Sequence, residues 1–131
     1  MTDINPRPVP GGDVVTDDPS WLYSPHGVNA NLTATLDISL FTAQTHYADG
    51  FIPSGTPLAR KASTGLYGPY SGANDDLGVC AGFLYAPLQV GAGTERVTGA
   101  LYHHGVVVEA NLPLSIDSNG KADLAGAVKF I

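Results

Sequence analysis

Cysteine is almost missing from this sequence: Cys80 is the only one in 131 residues. A single thiol cannot close an intrachain disulfide, so burial and hydrogen bonds must hold the fold, which suits folding in a reducing compartment. Basic residues are scarce too. Six Lys and Arg stand against twelve Asp and Glu, a net charge of −6. Phosphate backbones and anionic lipid surfaces are held by clustered Lys and Arg, so neither nucleic acid nor membrane is expected as a partner. No apolar run approaches the roughly 20 residues of a membrane-spanning helix. The opening MTDINPRPVPGG lacks the apolar stretch of a secretory signal, and no signal peptide is expected.

Glycine and proline are plentiful instead, with 16 and 10 copies. Such frequent punctuation excludes long helices and favours short strands joined by turns. Hydrophobic residues reach 44 %, enough for a core in a chain of single-domain length. The expected fold class is mainly β with much loop and at most one or two short helical turns. The expected division is an extended Pro-rich arm over residues 1–20 and one β-rich domain over 21–131. The arm holds Pro6, Pro8, Pro10 and Pro19, and few residues that suit a core. It reads either as a disordered tail or as a polyproline-like segment that orders on binding. Trp21 follows it, the only tryptophan and a large apolar anchor for a neighbour or for its own domain.

Residues 32–41, LTATLDISLF, alternate apolar and polar with β-branched members, the pattern of a half-buried strand. Residues 50–60 are rich in turn formers, with Gly55 placed for a positive φ between Pro53 and Pro57. Residues 66–70 form a short extended piece, and SGANDDLG (71–78) reads as a loop. VCAGFL (79–84) is apolar on both sides of the pleat, as in a strand buried on two faces, and Gly82 marks a close approach or a bulge. Residues 97–112 suggest a hairpin, with His103-His104-Gly105 as its connection and Gly105 left-handed. Asn119-Gly120 reads as a turn, 121–125 as one helical turn and 127–131 as a last strand.

Catalytic constellations are thin. His103 and His104 are adjacent, so on a strand they face opposite ways, and with His26 and His46 they fit no zinc spacing. Cys80 sits in an apolar strand, where a thiol is usually inert packing. Asp75 and Asp76 lie in a Gly/Asn loop, like Asp17-Asp18 a place for solvated turn carboxylates. No catalytic residue, metal or cofactor is expected. A small hydrolase built on Cys80 or on Asp75-Asp76 is the enzymatic alternative. A carbohydrate or host-surface binding module is the other, motivated by Tyr23, Tyr47, Tyr67, Tyr70 and Tyr102, whose rings can stack on sugars.

Three stretches, taken in order, resemble the lambda-type bacteriophage head decoration protein D family. They are IPSGTPLA (52–59) with Gly65-Leu66-Tyr67 after it, SGANDDLGVCAGFL (71–84), and ALYHHGVVVEANLP (100–113). The closing ADLAGAVKFI (122–131) matches the family's ending, so the resemblance covers roughly residues 50–131, and residues 1–49 depart from it. The resemblance implies a small β-clip-like domain that forms a homotrimer. It implies attachment to the major capsid protein on the outer surface of the expanded head, at three-fold and quasi-three-fold positions, as a non-enzymatic cement. It further implies a capsid-binding role for the arm, here Pro6, Pro8, Val9, Pro10, Val14, Val15 and Trp21. Phe41, Tyr67 and Phe83 are the candidates for the trimer interface.

Overall fold

The computed structural model describes residues 17–72, 76–91 and 93–131. The chain is mainly β with much loop and two short helices. Nine strands appear among the described residues: β1 (Leu32–Asp37), β2 (Phe51–Ile52), β3 (Pro57–Arg60), β4 (Tyr67–Pro69), β5 (Cys80–Leu84), β6 (Leu88–Gln89), β7 (Arg96–Tyr102), β8 (Gly105–Val107) and β9 (Val128–Phe130). Helix α1 spans Ala43–His46 and α2 spans Ser118–Asp123. None is long and apolar enough to cross a membrane.

Five strands close a barrel in the order β1–β4–β3–β5–β7. β1 lies antiparallel to β7 over six register pairs, from Leu32↔Leu101 to Asp37↔Arg96, and meets β4 in parallel through Leu36↔Tyr67. Closure satisfies the ladder groups that an open edge would leave bare. The alternation expected in β1 holds from Ala34 onward, where Ala34 and Leu36 are buried and Ile38 follows them inward, whereas Leu32 at its start is exposed. The strand nevertheless stops at Asp37 rather than reaching residue 41. The Asp37 carboxylate accepts from the Ser39 N–H (3.1 Å) and hydroxyl (2.7 Å), turning the chain into a 3-10 turn over Ile38–Leu40. A local side-chain bond here outcompetes the ladder.

Two apolar clusters share one wall. The first fills the barrel with Ala34, Leu36, Ile52, Leu58, Leu84 and Leu101. The second lies outside β5 and β7 and gathers Trp21, Phe83, Tyr102, Val107, Leu124 and Val128. A strand between two cores must be apolar on both faces, which explains the composition read in VCAGFL. Val79 is the exception: it precedes β5 and is 67 % exposed. At Gly82 the β3–β5 register slips, with Leu58 opposite Gly82 but Ala59 opposite Cys80. This bulge lets Cys80 and Phe83 face the outer cluster while Leu84 faces the barrel. Gly82 has φ 151°, and a Cβ there would stand 2.5 Å from the Tyr102 carbonyl oxygen. Both features anticipated for this glycine, bulge and close approach, occur together.

The hairpin expected over 97–112 does not form. β7 already has β1 on one edge and β5 on the other, so no edge remains for β8. β8 instead pairs in parallel with β9, through Gly105↔Val128 to Val107↔Phe130, and the chain near Leu22 bridges its other side. Gly105 accordingly has φ 143°, not the left-handed turn value. Beyond Val108 the chain enters a 3-10 turn over Glu109–Asn111 instead of extending to residue 112. Asn119 and Gly120 lie inside α2, which starts earlier than expected because the Asp117 side chain caps it through the Gly120 N–H (2.8 Å). The turn-rich segment 50–60 contains β2 and β3, with β2 paired to β6 and Gly55 at φ 90° as expected.

Candidate functional site

The described chain begins at the surface and plunges inward within five residues. Residues 17–20 are exposed, whereas Trp21 is fully buried. The Ser20 N–H bonds the Asp18 carboxylate (3.1 Å), and Asn111 Nδ2 donates to the Ser20 carbonyl (3.0 Å). Next, Val108 N–H donates to the Trp21 carbonyl (2.7 Å) and Tyr23 N–H to that of Val106 (3.2 Å). The root of the N-terminal segment is therefore stitched to β8 and to the turn after it. A groove of about 480 Å³ opens beside this root, lined by Glu109, Ala110, Leu112, Ser115 and Ile131. The Lys121 ammonium bonds the Glu109 carboxylate at 3.1 and 3.2 Å and braces the groove against α2.

Trp21 is not available to a neighbour. Its ring stands edge-on to Tyr102 at 5.2 Å and tilted to Phe83 at 5.7 Å, and Nε1 donates to Ser54 Oγ at 2.8 Å. Of the two docking sites open to it, it occupies its own domain. Phe41 and Phe83, expected at a trimer interface, are 6 % and 0 % exposed within the single chain. Phe83 packs in the outer cluster and Phe41 in the barrel cluster. Tyr67 is half-buried against the barrel cluster and keeps some accessible surface. Pro6, Pro8, Val9, Pro10, Val14 and Val15 lie outside the described residues. Large apolar side chains that do reach solvent are Tyr23, Leu32, Val79 and Ile131, each more than half exposed. Of these, Tyr23 was singled out in the sequence only for its ring. Leu32 sits in a regular strand pattern, so its place at the barrel mouth was not legible.

The groups with nucleophilic or acid–base chemistry are engaged elsewhere. Cys80 is buried, and burial pushes its thiol up to about 12, so it stays protonated at neutral pH. Tyr70 donates to Asp117 Oδ1 at 2.7 Å. Burial and this bond hold the phenol protonated, while the same bond and the Gly120 N–H depress the Asp117 carboxyl. The pair anchors α2 to the chain after β4. Asp76 is exposed, and Asp75 lies outside the described residues. His103 Nε2 contacts the Ala30 carbonyl at 2.7 Å, and the His26 and His104 rings lie 5.3 Å apart. Among the described residues no three His, Cys, Asp or Glu converge as a metal site would require. Of the five tyrosines read as sugar-stacking candidates, Tyr102 is fully buried and bonds the His26 carbonyl (3.0 Å). Tyr47, Tyr67 and Tyr70 are half-buried and Tyr23 is exposed.

Comparison with known proteins returned no match: no family model, curated protein or solved structure corresponds to this chain.

Proposed function

We propose that the chain is a bacteriophage capsid decoration protein, a non-enzymatic cement that trimerises on the outer face of the expanded head and binds the major capsid protein. The observation that carries this reading is the order and spacing of IPSGTPLA, SGANDDLGVCAGFL and ALYHHGVVVEANLP. Framework positions in these stretches support it, since Ile52, Leu58, Phe83, Leu84, Leu101 and Tyr102 are at most 2 % exposed. The acidic balance favours the side of a shell turned away from packaged DNA. The protonated, buried Cys80 supplies no ready nucleophile.

A clamp on several neighbouring capsid subunits needs no new chemistry. Once one contact forms, the others become effectively intramolecular, and modest contacts add up to firm attachment. Tyr67 and the exposed Leu32, Val79 and Ile131 offer apolar surface for a closed three-fold contact.

Sedimentation equilibrium of the purified chain and cosedimentation with expanded heads test the reading together. The expected results are a mass three times the 13.5 kDa of one chain, either free or on the shell, and saturable attachment that raises the temperature of head disruption. A chain that attaches to no expanded head and leaves its heat resistance unchanged overturns the proposal.

A further inference from the structure

One end of the barrel carries a cavity of about 590 Å³ that no part of the proposed shell contact uses. Three segments build it: the end of β1 with its 3-10 turn (Asp37, Phe41), the residue after α1 (Tyr47), and the approach to β7 (Thr94, Glu95, Arg96). They are held to one another by the backbone. Ile38 N–H donates to the Glu95 carbonyl (3.0 Å), and Asp37 stands opposite Arg96 in the β1–β7 register. Tyr47 packs against the barrel cluster, and the Phe41 ring is buried and locked edge-on to His46 at 5.5 Å. The aromatic floor is thus preformed.

The polar groups around that floor are of both kinds, and most of their capacity is unspent. Asp37 uses one carboxylate oxygen on Ser39 and keeps the other. The Glu95 carboxylate, the Arg96 guanidinium and the Tyr47 hydroxyl make no side-chain hydrogen bond within the described residues. Two carboxylates disfavour an anion here, and the guanidinium among them disfavours a simple cation. A neutral polyhydroxylated ligand meets neither objection. Its hydroxyls both donate to carboxylates and accept from a guanidinium, and its C–H face stacks on a fixed aromatic ring. The volume falls in the usual range for small-ligand sites.

We propose that this cavity binds a neutral glycan, one sugar ring stacking on Tyr47 with its hydroxyls held by Asp37, Glu95 and Arg96. The site would give a shell-bound copy an adhesive function. It does not depend on shell attachment, and a solitary domain would bind as well.

The test is a titration of the isotope-labelled full chain with methyl glycosides of glucose, galactose, mannose and N-acetylglucosamine, followed by amide shifts, with a neutral glycan array in parallel. Saturable shifts confined to residues 37–47 and 94–96 are expected for at least one sugar, at roughly millimolar affinity for a single ring in an open site. Glu95→Gln and Arg96→Ala, both at exposed side chains, should each weaken that binding about tenfold, the size of one lost charge-assisted hydrogen bond, and leave the other amides in place. Tyr47→Ala should abolish it. No shift with any sugar and no array binding overturn the proposal, as do shifts that survive all three substitutions or binding confined to acidic glycans. Head attachment by Glu95→Gln, measured alongside, should be unchanged, so failure here is distinguishable from failure of the decoration reading.

Discussion

Trp21 and His46 show how single side chains set the terms for the rest. Trp21 is the sole tryptophan, fully buried where the N-terminal segment enters the domain. Trp21→Ala should cost about 3–5 kcal/mol, the usual range for emptying a large aromatic site in a core. Trp21→Phe keeps much of the packing but leaves Ser54 Oγ without the indole donor, and should cost about 1–3 kcal/mol. Urea denaturation followed by far-UV dichroism reads both, and equal losses would mean that packing contributes little. His46 reports on pH. Its Nδ1 accepts the Thr42 N–H at 2.8 Å, and burial holds its pKa below 6.5. The folded state therefore takes up the proton later than the unfolded chain does. The stability associated with His46 is complete above 6.5 and is lost as pH falls from there through the lowered folded value. Denaturation midpoints across that interval should fall in the native chain and fall less in His46→Gln. Parallel profiles would exclude His46 as the titrating group.

At the scale of elements, parallel pairing of β8 with β9 brings the C-terminus into the outer cluster. Val128 is buried there, and the Phe130 ring packs edge-on to Phe83 at 6.0 Å. Removing residues 128–131 deletes the strand and opens the outer core. The loss should exceed the roughly 5–15 kcal/mol that a domain has to spare, or come close to it, so the truncated chain should lose its near-ultraviolet signal and resist trypsin poorly. A milder version is Gly105→Ala. At φ 143° the added methyl runs into the Tyr102 hydroxyl and the His26 carbonyl, breaking the bond between them, with an expected cost of about 2 kcal/mol or more. Retained stability in both variants would mean that the small sheet is peripheral. What the sequence revealed follows from the range of the forces involved. Alternation in 32–37, the two-faced composition of β5 and the Gly82 bulge depend on near neighbours and were legible. The partner of β8 was not. Residues 97–112 carry good hairpin signals, and only occupation of both β7 edges by β1 and β5 rules that pairing out. Residues 32–41 failed for the opposite reason, because the Asp37–Ser39 bond is more local than the alternating pattern and overrides it.

For the whole molecule, two features bear on what the domain could contact: the root of its N-terminal segment and its remaining apolar surface. Aromatic residues looked like interface candidates in the sequence because composition does not say which core will claim them. Phe41 and Phe83 were claimed, Tyr67 only in part, and Leu32 and Ile131 were left outside. The N-terminal segment is different in kind, since its root at Ser20 and Trp21 is fixed by Asn111 and Val108. Deleting residues 1–16 leaves that root, the tryptophan and both clusters untouched. The denaturation midpoint and the subunit number of the truncated chain should therefore match those of the full chain. If the chain is the proposed trimer and the segment grips the shell, three tethered contacts are lost at once, and avidity makes the loss large, about 10²-fold or more in half-saturating concentration on expanded heads. Cosedimentation of the two chains on the same heads measures it. Equal binding would make residues 1–16 a tail without a part in attachment, and would move the search for the shell contact to Tyr67 and the exposed apolar residues of the domain.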